Sequence, residues 1–172
     1  MGVDAELGAS WLIDGGVAAN NPTMCAIAEA RRVWNKVSLS KIRVVSVGTG
    51  FMMDPIDGPK SQKWGALQWV SKGKILEILA GERVVAYQCI TLMDSGNYIR
   101  VNAKLLPQPG LNQAPSDAMD DVSRSNIQRL KELGEFWFAQ YGEAVIQLIM
   151  NQYEGPSLDR IDSQTGKPIT FD

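Results

Sequence analysis

Asp14 closes the apolar run Trp11-Leu12-Ile13 and is followed at once by Gly15-Gly16. Three apolar residues running into an acid and two glycines read as a short buried strand that ends in a turn. Open α/β sheets form their ligand crevice outside the carboxyl ends of the strands, where Asp14 is expected. A carboxylate held there can accept a proton or orient a hydroxyl group. Asp-Gly is also a strong turn dipeptide, and an acid in that setting can do no more than close the turn. Gly48-Thr49-Gly50 is a second candidate. Its backbone N–H groups could face an anion, or its glycines could let a helix pack close to a strand. Asp120-Asp121 could ligate a metal, or cap a helix as solvated acids favoured by the helix dipole. Lys60, Lys63, Lys72 and Lys74 alternate with Trp64, Leu67, Trp69 and Val70. That mixture suits a helix lying at a lipid surface, or a core helix whose lysines snorkel outward.

The elements that position these residues follow from the chain's punctuation. Asn20-Asn21-Pro22 reads as a helix start, with Asn21 capping free N–H groups and Pro22 at the first helical position. The helix is expected over 22–35, with Met24, Ile27 and Trp34 on a core-facing stripe. A nearly all-β-branched strand follows over 42–47, of the kind buried on both faces in parallel sheets. Strand, helix and strand make a right-handed βαβ unit, so Leu12-Ile13 and Val44 to Val47 should be near neighbours with Asp14 and Gly48 at the same end. Gly15 or Gly16 is expected at positive φ. Residues 51–60 read as a loop, and 61–93 as helical with breaks near Gly73 and Gly81. Residues 98–102 alternate as a third strand. A helical region over 123–153 is expected to break at Gly134, with Ser125 and Gln128 at capping-box spacing. These elements divide the chain into a domain over 1–153 and a polar tail over 154–172, marked by Gly-Pro and Lys-Pro.

Composition narrows the function classes. The 172 residues are 45% hydrophobic with a net charge of −2, enough apolar matter for a core and no basic face for nucleic acid. Histidine is absent. That excludes a Ser-His-Asp triad within these residues and removes the usual zinc ligands, so neither metal nor cofactor is expected. Cys25 and Cys89 lie in apolar segments and read as buried free thiols. No apolar run approaches the roughly 20 residues of a transmembrane span, and no signal-peptide layout or myristoylation motif is read. The expected compartment is the cytoplasm, with peripheral membrane contact.

The segment from Ile13 to Pro22, Ile-Asp-Gly-Gly-Val-Ala-Ala-Asn-Asn-Pro, resembles the Asp-Gly-Gly motif of patatin-like lipid acyl hydrolases, which also runs into Asn-Asn-Pro. Val44-Val45-Ser46-Val47-Gly48-Thr49-Gly50 is similar to that family's strand ending in Gly-Thr-Gly. Met119-Asp120-Asp121 with Ser123 and Asn126 gives a third match in family order. The resemblance implies a partial three-layer α/β/α fold with a mainly parallel sheet, the carboxyl-terminal half of a patatin-like domain. It also implies a Ser–Asp dyad acting on lipid acyl esters, with Asp14 as the dyad acid. The serine of that dyad sits in a Gly-x-Ser-x-Gly elbow, and no serine here has glycine on both sides at that spacing. Ser46 has Gly48 but Val44, and Ser71 has Gly73 but Trp69. The glycine-rich oxyanion loop is missing as well. Activity is therefore expected to need an amino-terminal half, and the chain alone to be marginal and to self-associate. Two other readings stay open: a half-domain that binds lipid or a partner without turnover, and an actin-fold sugar kinase fragment, which also uses Asp-Gly-Gly and Gly-Thr-Gly turns.

Overall fold

A computed structural model describes residues 15–52, 58–71, 81–109, 111, 113–116, 118 and 120–172. The expected strand over 11–14, including Asp14, lies outside them. Helix α1 (Gly16–Ala19) is a single turn, and α2 (Thr23–Val33) leads through a 3₁₀ turn (Leu39–Lys41) into strand β1 (Val44–Val47). Two short helices follow, α3 (Gly58–Ser61) and α4 (Ala66–Ser71), then α5 (Arg83–Leu92) and strand β2 (Tyr98–Val101). Helix α6 (Arg124–Ile149) is the longest element, and the hairpin β3 (Ser157–Ile161) and β4 (Pro168–Phe171) ends the chain.

Among the described residues four strands form one sheet in the order β1-β2-β3-β4. β1 and β2 are parallel with Ser46 opposite Arg100, β2 and β3 are parallel through Ile99 and Leu158, and β3 and β4 are antiparallel. Alternation along the strands sends successive side chains to opposite faces. Val44 and Tyr98 face α2 and α5, packing with Ile27, Cys89, Ile90 and Met93. Val45, Ile99 and Val101 face α6, packing with Tyr141, Leu148, Leu158 and Ile161. The described chain is thus α/β, a mostly parallel sheet between two helical layers. Each such aliphatic side chain contributes about 1.5–3 kcal/mol on burial.

Several local expectations are corrected. Gly15 has φ −59°, and among the described residues the glycines at positive φ are Gly50, Gly96 and Gly166. Gly15 leads directly into the helical turn α1, with Ala19 N donating to Gly15 O at 2.9 Å, so no left-handed residue is needed there. Helix α2 begins at Thr23, with Pro22 as its N-cap residue. It ends where Asn35 and Lys36 take positive φ and Lys36 N donates to Arg31 O, a Schellman-type closure. Helix α6 runs unbroken through Gly134. A mid-helix glycine costs only about 1 kcal/mol, less than is gained by burying Leu133, Tyr141 and Leu148 on one stripe. Its cap is Ser123, whose hydroxyl accepts from Asn126 N at 3.3 Å, rather than the Ser125–Gln128 pair. Cys25 is exposed on the outer side of α2, while Cys89 is buried.

The expected tail is instead half of the sheet's far side. Leu158 and Ile161 enter the core, and Asp159 is neutralised by Arg160 at 2.6 Å. Asp162 Oδ1 accepts from Gln164 N and Thr165 N, both at 2.9 Å, and Gly166 at φ 68° completes the turn. Polar residues that read as solvated are the turn and the charged rim of a hairpin.

Candidate functional site

Asn21, seven residues after Asp14 in sequence, is tied to the carboxyl end of the parallel sheet by one continuous polar chain. Asn21 is buried, and its Oδ1 accepts from Thr23 N at 3.1 Å and from Thr23 Oγ1 at 2.5 Å. Thr23 Oγ1 lies 2.6 Å from Ser46 Oγ on β1. Arg100 Nη1, from the register partner on β2, donates to Ser46 Oγ at 2.7 Å. Arg100 Nη2 is ion-paired with Glu82 at the start of α5, and Glu82 also accepts from Asn102 Nδ2. Asn102 Oδ1 in turn accepts from Gly50 N and Ala103 N, both at 3.0 Å. The network thus links the start of α2, both central strands, the start of α5 and the Gly-Thr-Gly turn.

Arg100 is 4% exposed. Burial pulls its guanidinium below the ordinary arginine value, and the nearby Asp159 carboxylate pulls it back up. Arginine still keeps its charge in such a site, because its guanidinium is the most basic of the side chains. A buried cation with a hydrogen-bonded carboxylate is a demanding arrangement, and removing one partner costs about 3–5 kcal/mol.

Ser46 cannot serve as an elbow nucleophile in this setting. It is buried within β1, and its hydroxyl is engaged by Thr23 and Arg100. Ser71 is the last residue of α4. The Gly-Thr-Gly turn is a packing device. A Cβ at Gly48 would stand 2.6 Å from the Asn102 side chain, and Gly50 has φ 88° with Leu105 where its Cβ would go. Gly48 N donates to Val101 O and Gly50 N to Asn102 Oδ1, so both N–H groups are committed within the fold.

Beside the network an open cleft of about 460 Å³ is lined by Phe51, Glu82, Tyr87, Arg100, Asn102 and Phe171. Of these, Arg100 and Asn102 are buried and Tyr87 and Phe171 are exposed. The Asp120-Asp121 pair belongs to the α6 cap. Asp121 Oδ1 accepts from Ser123 N at 3.1 Å, and hydrogen bonding to Ser123 holds its carboxyl below the usual carboxylate range. Among the described residues no group of three His, Cys, Asp or Glu side chains could hold a metal ion. No helix among them is long and apolar enough to cross a membrane. In the described part of the Lys60–Lys74 stretch, α3 and α4 are separated by a turn carrying Trp64, which meets Trp69 of α4 edge to face at 5.4 Å.

Sequence reasoning missed Glu82, Arg100 and Asn102. One signal for them was legible: Tyr98-Ile99-Arg100-Val101 places a charge at an inward position of a strand, and such a charge requires a buried partner.

No family model matches the chain, and no solved structure matches it. Curated relatives do. It is 31% identical over 145 residues to patatin-like protein 3 of Arabidopsis thaliana, covering 72% of this chain and 32% of that protein. It is 30% identical over 151 residues to patatin-like protein 1 of Oryza sativa subsp. indica, covering 75% and 35%. It is 26% identical over 141 residues to patatin-08 of Solanum tuberosum, covering 72% and 35%. The chain spans about a third of the length of the curated relatives it matches. With a mostly parallel α/β sheet and several curated relatives matching over nearly three quarters of its length, the chain belongs to the patatin-like protein family.

Proposed function

We propose that the chain contributes the acid, Asp14, of a Ser–Asp dyad in a lipid acyl hydrolase of the phospholipase A or esterase type, working in lipid catabolism. The observation that carries this reading is the fastening of the segment just after Asp14 to the sheet. Thr23 is hydrogen-bonded to Ser46, one residue before the carboxyl end of β1. That end is where a parallel sheet collects its ligand-facing groups. Family membership supports a lipid substrate, read here as acyl esters of membrane or storage lipid. A carboxylate with an ordinary pKa of about 3.9 is a weak base at neutral pH, so Asp14 acts from a partly desolvated position or chiefly by orienting the serine hydroxyl.

The 172 residues hold no Gly-x-Ser-x-Gly segment, and the nucleophile of this dyad is supplied from outside them. The 172-residue chain alone should therefore neither hydrolyse p-nitrophenyl esters above a denatured control nor label with an organophosphonate serine probe. Joined to a segment carrying the elbow, it should do both. Robust turnover by these residues alone would mean that another nucleophile operates.

A second reading, partner binding without turnover, is favoured by one observation. Val47 on β1 and Phe138 and Ile149 on α6 are 69%, 69% and 72% exposed. Apolar side chains so exposed are what an unmet interface presents. Probe labelling of the joined protein separates the two readings.

A further inference from the structure

Helices α3 and α4 belong to the crossover from β1 to α5, and their apolar residues enter neither of the two described core clusters. Leu67 on α4 is 86% exposed, more than any other large hydrophobic side chain among the described residues. Trp64 and Trp69 are half-buried, and their edge-to-face contact holds the two indoles in a fixed relation. Lys60, Lys63 and Gln68 are exposed as well. The backbone here is closed on itself. Trp64 N donates to Ser61 O, and Gln68 N and Trp69 N both donate to Gly65 O, all at 3.0 Å. Gly65 N donates to Gln68 Oε1 at 3.0 Å. The charge of the stretch is one-sided. Lys60, Lys63, Lys72 and Lys74 give it +4, and no Asp or Glu occurs from Gly58 to Leu76, in a chain whose net charge is −2.

We propose that α3 and α4 dock the chain on an anionic phospholipid surface, with Leu67 among the acyl chains, Trp64 and Trp69 at headgroup level, and Lys60 and Lys63 on the lipids' phosphate and carboxylate groups. Each part answers to a property of that surface. Indole rings settle at the headgroup level, where one end of the ring is apolar and the other wet. An exposed leucine gains by entering the acyl boundary, and lysines without intervening acids gain from the negative potential of anionic lipid. An acidic protein segment would match the lysines but offers no apolar phase to Leu67. The internally bonded backbone also suits the interface, since a group entering it loses water as a partner. The location fits a lipid-facing role. Helix α3 begins at Gly58, seven residues after Phe51, so chain reach places its start within about 25 Å of that residue. Phe51 lines the cleft beside the polar network, and parallel sheets open their ligand crevice at the carboxyl ends of their strands. The docking goes beyond the dyad reading of Asp14 and does not depend on it.

The test is flotation of the 172-residue chain with vesicles of phosphatidylcholine alone and of phosphatidylcholine mixed with phosphatidylserine. The chain should float with the anionic vesicles, bind pure phosphatidylcholine far less, and be released as salt is raised. Lys60→Glu/Lys63→Glu should weaken binding by at least about 25-fold, about fivefold for each lysine lost. Leu67→Gln, which leaves the charge alone, should weaken it about tenfold for the loss of one inserted leucine. Leu67 is exposed, so this variant should fold as the wild type does. Lys41→Glu/Arg43→Glu makes the same charge change at the amino end of β1 and should leave binding near that of the wild type. Brominated acyl chains should quench the tryptophan emission, and Trp64→Phe/Trp69→Phe should lose most of that quenching. A folded chain that does not float with anionic vesicles would overturn the proposal. So would equal losses in the two charge-reversal variants, which would mean binding by diffuse charge. Self-association in lipid-free sedimentation that Leu67→Gln abolishes while flotation persists would assign the patch to a second copy of the chain, and would overturn it too. Failure of the dyad reading has a separate signature: ester turnover that survives Asp14→Asn in a protein carrying the serine elbow.

Discussion

Glu82→Ala removes the carboxylate from a pair whose other member cannot reach water. Arg100 is 4% exposed, and the side chain of Glu82 is 16% exposed. Breaking a buried ion pair from one side costs about 3–5 kcal/mol, and the partial exposure of Glu82 places the cost near the lower end. Asn102 Nδ2 loses its acceptor at the same time. Its position on the cleft lets water replace some of that bond, adding about 1 kcal/mol at most. The sum is about 3–4 kcal/mol, a large part of a domain's usual margin of about 5–15 kcal/mol. With a urea dependence of about 2 kcal/mol per M, the unfolding midpoint should fall by about 1.5–2 M. The assay is equilibrium urea unfolding followed by tryptophan fluorescence. The double variant Glu82→Leu/Arg100→Met should lose less than Glu82→Ala alone, because replacing both charges leaves none buried and unpaired. A midpoint change under about 0.5 M in Glu82→Ala, or additive losses in the double variant, would refute the buried-pair account.

Burial pushes the Cys89 thiol up to about 11, so iodoacetamide at pH 8 should modify the exposed Cys25 and spare Cys89 until the chain unfolds, as read by peptide mass spectrometry. Backbone hydrogen bonds from Thr165 and Gln164 hold the Asp162 carboxyl below its ordinary 3.8. A lowered folded-state pKa gives stability that is present above the unfolded value and lost as pH falls through the folded one. Asp162→Asn should therefore flatten the stability profile below pH 3.8 and leave its shape at neutral pH unchanged, as measured by thermal melts across pH. Among the described residues β1 borders the sheet and Val47 on it is exposed, as are Phe138 and Ile149 on α6. Sedimentation of the 172-residue chain should accordingly show self-association, and a monomer melting cooperatively above about 60 °C would contradict that expectation.

How far the sequence alone carried the structure depended on whether a segment's local signals agreed with its packing. Val44 to Val47 and Tyr98 to Val101 were legible because β-branched and alternating residues match a sheet covered on both faces. Ser157 to Phe171 were not. There Asp159, Arg160 and Asp162 satisfy one another or the backbone, and a polar composition hides two core residues. Gly134 misled in the opposite way, since the burial stripe on α6 outweighs one poor helix former. At the candidate site the Asn21 cap was legible. The partners Ser46, Arg100, Glu82 and Asn102 were not, because their pairing depends on the parallel register of β1 and β2 and on the approach of α5. The Gly-Thr-Gly turn showed both its candidate roles in the sequence, and only the positions of Asn102 and Leu105 decide for packing.

The central claim is that Asp14 acts on a serine hydroxyl supplied from outside these residues. The most direct measurement is steady-state hydrolysis of a p-nitrophenyl acyl ester by a polypeptide that joins this chain to a Gly-x-Ser-x-Gly segment, comparing wild type with Asp14→Asn. Asparagine keeps the shape of the side chain and cannot take the proton. The account predicts a fall in kcat of about 10²–10⁴-fold, the range for losing a positioned proton acceptor, with an unchanged thermal melt. Turnover within a few-fold of wild type in a folded Asp14→Asn protein would contradict it.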